Sequence, residues 1–174
     1  MENRRTTINL QTIVLFALLT VLLLTGCDSG SQIRQSVSRA VSVNCDAAEI
    51  LSEYDSHGGF HGDGTSFYAL QYSDHTARDE IARSSQWKPL PLTDNLSAAV
   101  YGDDSHAPLI IKDNDWNHPL VPPISHGSYC FIDRHSESDD PKSDAALFSR
   151  ASFNFTLAIY DEDADVLYFS RVDS

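Results

Sequence analysis

Positive charge is scarce in this chain: 12 Lys and Arg stand against 25 Asp and Glu in 174 residues, for a net charge of -13. Nucleic acid and anionic lipid surfaces are held through basic patches, so both are excluded as partners by that route. Acidity also serves solubility, and it leaves a cationic partner open. Long apolar stretches are missing too. The run at residues 12–24 has 13 residues, short of the roughly 20 that a membrane-spanning helix needs. No repeat marks a solenoid or a propeller. No Gly-x-Ser-x-Gly or His-Glu-x-x-His is present, and the glycine-rich segment lacks the lysine of a phosphate loop. A triad of dispersed serine, histidine and aspartate stays open. Cysteine is limited to Cys27, Cys45 and Cys130.

What is there begins at the N-terminus. Arg4 and Arg5 precede the apolar run, which is the order of a secretory signal. The run ends in Leu24-Thr25-Gly26-Cys27, which resembles the lipobox of bacterial lipoproteins. That resemblance implies cleavage before Cys27 and lipid on its sulfur; the alternative is a short N-terminal anchor that merely ends in Gly-Cys. Two or more acyl chains anchor stably, at about 0.8 kcal/mol per buried methylene. The expected place is therefore the extracytoplasmic face of the cell membrane. Asp28 resembles the signal that keeps lipoproteins on the inner membrane where a cell has two. The chain divides into a signal peptide (1–26), a lipidated, serine-rich tether (27–44) and one domain (45–174). Ile33, Val37, Ala40 and Val41 have helical spacing within the tether. Just under 150 residues follow the signal, enough for a core of its own.

The domain reads as α+β. Residues 47–54 fit a strand, although their composition also allows a helix. Four glycines crowd residues 58–64, and a helix there would lose about 1 kcal/mol at each. Residues 65–72 alternate, with Tyr68, Leu70 and Tyr72 on one face, so the two strands form a hairpin around the glycine loop. Ser73 or Asp74 can cap a helix over 75–84. Thr93 or Asp94 can cap a second, over 95–101, closed by Gly102. Between them 87–92 is extended, because each proline disfavours helix at the residue before it. Residues 103–127 are irregular, with room for a short strand at 109–112. Strands follow at 129–134, 149–160 and 166–172, with an acidic turn at 161–165. This predicts an antiparallel sheet of about five strands with helices on one face.

Chemistry-bearing residues concentrate in the glycine loop. His57, His61 and Asp63 are potential ligands for a divalent metal. A fourth group would come from His126, Asp133 or His135. Other roles for the loop are a tight structural turn or a direct ligand contact. Asp161, Asp163 and Asp165 start like a calcium loop, but Val166 and Val172 replace its glycine and its glutamate. Cys45 and Cys130 fit either a disulfide, closing about 85 residues and adding roughly 4–5 kcal/mol, or two buried thiols. Tyr68, Tyr72, Trp87, Tyr101 and Trp116 suit a core or a binding face.

Residues 55–64, Asp133-Arg134-His135-Ser136 and residues 153–161 resemble a group of short, uncharacterised bacterial lipoproteins. The resemblance implies a fold unit and a location, and no mechanism. The expected function is a tethered, non-enzymatic domain that binds a ligand or a protein partner in the cell envelope, as an immunity protein or inhibitor does. The alternatives are a divalent-metal-binding domain centred on residues 57–64, with or without metal-dependent hydrolysis, and a hydrolase with a serine or cysteine nucleophile.

Overall fold

A computed structural model describes residues 29–58, 62–112 and 119–174. The elements in chain order are α1 (Ser29–Val41), β1 (Glu49–Asp55), β2 (Gly64–Gln71), α2 (Thr76–Arg83), β3 (Lys88–Pro89), α3 (Asp94–Tyr101) and β4 (Gly127–Asp133). A 3-10 turn (Leu147–Ser149), β5 (Asn154–Asp161) and β6 (Val166–Asp173) complete them. The fold is α+β. One open sheet has six strands in the order β1-β2-β6-β5-β4-β3, and every neighbouring pair is antiparallel. The strand beyond the expected five is β3, with two residues. The segment at 109–112 contributes only an isolated bridge, Ile111 to Pro119.

Both expected hairpins form. The one that joins β5 and β6 turns on its own acidic side chain. Asp161 accepts hydrogen bonds from the amides of Asp163 and Ala164 at 2.9 and 3.1 Å, the local bonding that makes aspartate a turn residue. The pairing between the hairpins is not local. β6 lies beside β2 along its whole length, from Gly64↔Asp173 to Gln71↔Val166. The last strand therefore sits inside the sheet, between the two halves of the chain.

The sheet is covered on both faces, where the alternation predicts helices on one. Along β5 every residue from Phe155 to Tyr160 is buried. Phe155, Leu157 and Ile159 meet Leu96, Ala99 and Val100 of α3 and Ile110 and Val121 of the long connection. Ala158 and Tyr160 face the other way, with Leu70, Leu167 and Phe169, onto Val37 and Val41 of α1 and Ala77 and Ile81 of α2. Strong alternation of the larger residues hides the second apolar set, because Ala158 and Tyr160 read as the tolerant face of a one-sided strand.

The tether is also revised. Ser29–Val41 is a helix whose Val37 and Val41 are fully buried in the core, and the Trp87 indole N–H donates to the Val41 carbonyl at 3.1 Å. The folded unit thus reaches back to Ser29, past the expected boundary at residue 44. Cys27 and residues 1–28 lie outside the described residues, as does Trp116. Among the described residues no helix is long and apolar enough to cross a membrane.

Cys45 and Cys130 are free thiols, both buried in the same core cluster. The bridge between them is not formed. The Tyr72 hydroxyl donates to the Cys45 sulfur at 3.1 Å. Burial pushes the Cys45 thiol up, and pushes Cys130 up to about 11, so neither is a nucleophile near neutral pH. Reducing agent is expected to leave the melting temperature within about 1 °C of its starting value. A drop of several degrees would reveal a bridge, since closing such a loop adds about 4–5 kcal/mol.

Candidate ligand cleft

The α1-covered face of the sheet is apolar over most of its length and becomes polar at one end. The row Tyr68, Phe169, Ala158 and Cys130 belongs to the core. The next row runs across the strands as Asp55, Ser66, Arg171 and Thr156. The last row is Gly64, Asp173 and Asn154. Ser36 and Ala40 of α1 stand at the edge of these polar rows, and Gly62 and Asp63 of the glycine loop complete a cleft of about 610 Å3.

His57 lines the cleft, and the glycine loop is built to place it there. A β-carbon on Gly64 would stand 2.6 Å from the His57 amide nitrogen and 2.7 Å from its Cα. Only glycine at the start of β2 leaves room for His57 to fold back over the strand. Gly62 has φ 72° and supplies the left-handed turn. His57 Nδ1 is 2.8 Å from Asp55 Oδ1, and Nε2 is 3.2 Å from Asp173 Oδ2. Asp55 also accepts the His57 backbone N–H at 2.8 Å and the Ser66 hydroxyl at 3.2 Å.

Asp173 collects donors from three segments. Arg134 Nη1 reaches its Oδ1 at 2.7 Å, while Arg171 Nε and His57 Nε2 reach its Oδ2 at 2.8 and 3.2 Å. Arg134 is bound further by Thr156 Oγ1 and by the carbonyls of Phe155 and Val172, so its guanidinium ties the ends of β5 and β6 together. Burial works against the Asp173 charge, but the hydrogen bonds from Arg134 and Arg171 outweigh it and hold the carboxyl below the usual range. Asp55 is lowered in the same way, burial being overcome by the backbone N–H and ring of His57. Asp133 is lowered as well, its burial overcome by Arg150.

These three carboxyls bind fewer protons folded than unfolded. Their contribution is complete above the ordinary carboxylate range and is lost as pH falls through it and below. Stability is therefore expected to be level between about pH 6 and 5 and to drop steadily below about pH 4. Denaturant midpoints at several pH values check this; a midpoint that rises toward pH 3 would contradict the pairing.

The expected metal ligands do not assemble among the described residues, where no group of three His, Cys, Asp or Glu side chains is placed to hold an ion. His57 and Asp63 both line the cleft, but each ring nitrogen of His57 already faces a carboxylate. His61 lies outside the described residues. The proposed fourth groups are elsewhere. His126 pairs with Asp163 at the β5–β6 turn, Asp133 pairs with Arg150, and His135 Nε2 contacts Ser152. Ser66 comes within 3.2 Å of His57 Nδ1, yet it donates to Asp55, and Asp55 holds that nitrogen at shorter range. Ser66 is thus not arranged as an activated nucleophile. Of the aromatics, Tyr68 lines the cleft, whereas Tyr72 and Trp87 are core.

Asp55, Ser66, Arg134, Arg171 and Asp173 are missing from the sequence-derived candidates. One signal for two of them exists. In β6 the parity of Leu167 and Phe169 continues through Arg171 and Asp173, so an apolar face turns charged at its end. Compared with protein-family models, with curated proteins and with solved structures, the chain matches none.

Proposed function

We propose that this chain is a lipid-anchored domain of the bacterial cell envelope, attached through Cys27, that binds a polar ligand or a polar segment of a partner in the cleft around His57. One observation carries the binding reading: oppositely charged side chains from β1, the glycine loop, the end of β4 and β6 converge on one cleft framed by paired strands. Its volume falls within the range of about 300–1,000 Å3 common for small-molecule sites. Its lining is more polar than such sites usually are, which favours a hydrophilic ligand. Strands position such groups more precisely than loops do. The anchor rests on the residues from Arg4 to Cys27.

Two measurements test the two parts. With labelled palmitate, the wild-type chain takes up label and partitions with membranes, and Cys27→Ser loses both. In a thermal-shift screen of polar small molecules, ligands raise the melting temperature of the wild type by several degrees and leave Asp63→Ala/Arg171→Ala unmoved. A screen in which every hit acts equally on both proteins would sink the cleft. The divalent-metal reading requires His57 to leave its carboxylates. Zinc, calcium, nickel or manganese at 100 times its Kd would add about 2.7 kcal/mol. A rise of that size, lost in His57→Ala/His61→Ala, would restore it.

A further inference from the structure

Two charges of opposite sign line the cleft without meeting each other. Asp63 is exposed and, among the described residues, has no hydrogen-bond or ion-pair partner. Arg171 is 53% exposed and uses only Nε, which Asp173 holds at 2.8 Å. Its two terminal nitrogens have no partner among the described residues. Asp173 is shared between Arg171 and Arg134, which reaches its other oxygen at 2.7 Å, so one carboxylate faces two guanidinium charges. Asp55 adds a second, half-exposed carboxylate to the lining.

The geometry points to a zwitterionic ligand, a short peptide with both ends free, bridging these two sides; this rests on the cleft being a binding site as proposed above. Its carboxylate would take the terminal nitrogens of Arg171, a fork that binds a carboxylate through two parallel hydrogen bonds. Asp173 fixes the fork by its Nε and turns the other edge outward. The ammonium of the ligand would lie against Asp63 and Asp55. The span agrees. Asp55 and Arg171 share one register row with Ser66 between them, so their backbones are two strand spacings apart, about 9.6 Å. Side chains shorten that gap, and an extended dipeptide covers roughly 7 Å. A free amino acid, with its charges on one carbon, would reach only one side.

The test uses the lipidated chain from Cys27 onward in detergent and isothermal titration with alanyl-alanine, its N-acetyl and C-amide forms, alanine and inorganic phosphate. The expected result is binding of alanyl-alanine with a Kd of about 1 mM or tighter, and at least tenfold weaker binding of either capped form and of alanine. Arg171→Ala and Asp63→Asn should each weaken the dipeptide tenfold or more; the melting temperature stays put in Asp63→Asn and falls slightly in Arg171→Ala, which loses the bond to Asp173. Arg171→Lys, which keeps the charge and loses the fork, should fall between. Equal binding of the capped forms, or no dipeptide binding, overturns the zwitterion. Phosphate binding that depends on Arg171 while the dipeptide is silent also overturns it, but leaves the cleft as a binding site. If Asp63 and Arg171 variants also fail to alter any hit of the polar screen, the cleft reading falls with it.

Discussion

Gly127→Ala is expected to destabilise the domain by about 4 kcal/mol, a fall of roughly 10 °C in melting temperature. Gly127 opens β4 opposite Asp161, with φ 153°. A β-carbon there would stand 1.9 Å from the Tyr160 carbonyl oxygen and 3.0 Å from its carbon. Backbone cannot swing aside as a side chain can. The strand must either part from β5 or leave its conformation, at a cost of about 1–3 kcal/mol for the strain and a similar amount for the overlap. Tyr160 is fully buried and donates to Asp165 at 2.7 Å, so a shift at this point disturbs the β5–β6 turn as well. Two other glycines calibrate the effect. At Gly62 the added carbon meets nothing within 4 Å, and only the φ of 72° opposes it, for about 1 kcal/mol. At Gly58 the nearest atom is 3.8 Å away, and little change is expected. Urea midpoints of the three variants decide; a Gly127→Ala midpoint no lower than that of Gly62→Ala would refute the close approach.

Asp133→Ala is expected to cost about 3–5 kcal/mol. Asp133 ends β4, and its carboxylate accepts from Arg150 Nη1 at 2.6 Å; the two side chains are 6% and 13% exposed. Removing the acid alone leaves a guanidinium almost without solvent and without its counter-charge, which is far costlier than losing a surface pair. The same carboxylate accepts the His135 amide at 3.1 Å, so the turn after β4 loosens too. The double variant Asp133→Ala/Arg150→Ala should be more stable than additivity of the single changes allows, because it removes the orphaned charge. A double-mutant cycle by chemical denaturation measures this, and strict additivity would mean that the pair is not coupled.

Asp133 also shows where sequence reasoning reached its limit. Aspartate and histidine in Asp133-Arg134-His135 invite a ligand reading, and the structure sends the three side chains apart. Asp133 turns to Arg150, His135 to Ser152, and Arg134 to Asp173 on the α1-covered side. Asp133 is the last residue of β4 and the chain leaves the strand at Arg134 and His135, so a cluster in sequence is divided in space. The glycine loop behaved differently. Its glycines signalled a backbone that must turn sharply, and Gly62 and Gly64 do serve the turn and the close approach of His57. The partners of His57 carry no such signal. Asp173 is 116 residues away, and nothing local ties it to the loop.

Local periodicity by itself determined most elements of this protein. The alternation of 65–72 and 166–172, that of 149–160 from Asn154 onward (Leu147–Ser149 being a 3-10 turn), the helix caps at Thr93 and Gly102, and the two hairpins all follow from interactions within a few residues, which composition and spacing record directly. The expectation of a lipid anchor rests on the same kind of reading, from Arg4 to Cys27. Only the tertiary structure decided three further things: that β6 inserts between β5 and β2, that α1 belongs to the core, and that Asp55, His57, Arg134, Arg171 and Asp173 share a cleft. The physical reason is the same for all three. Which strand edge pairs with which, and which apolar stripe covers which face, depends on the fit of surfaces distant in the chain. No short stretch of residues encodes that fit.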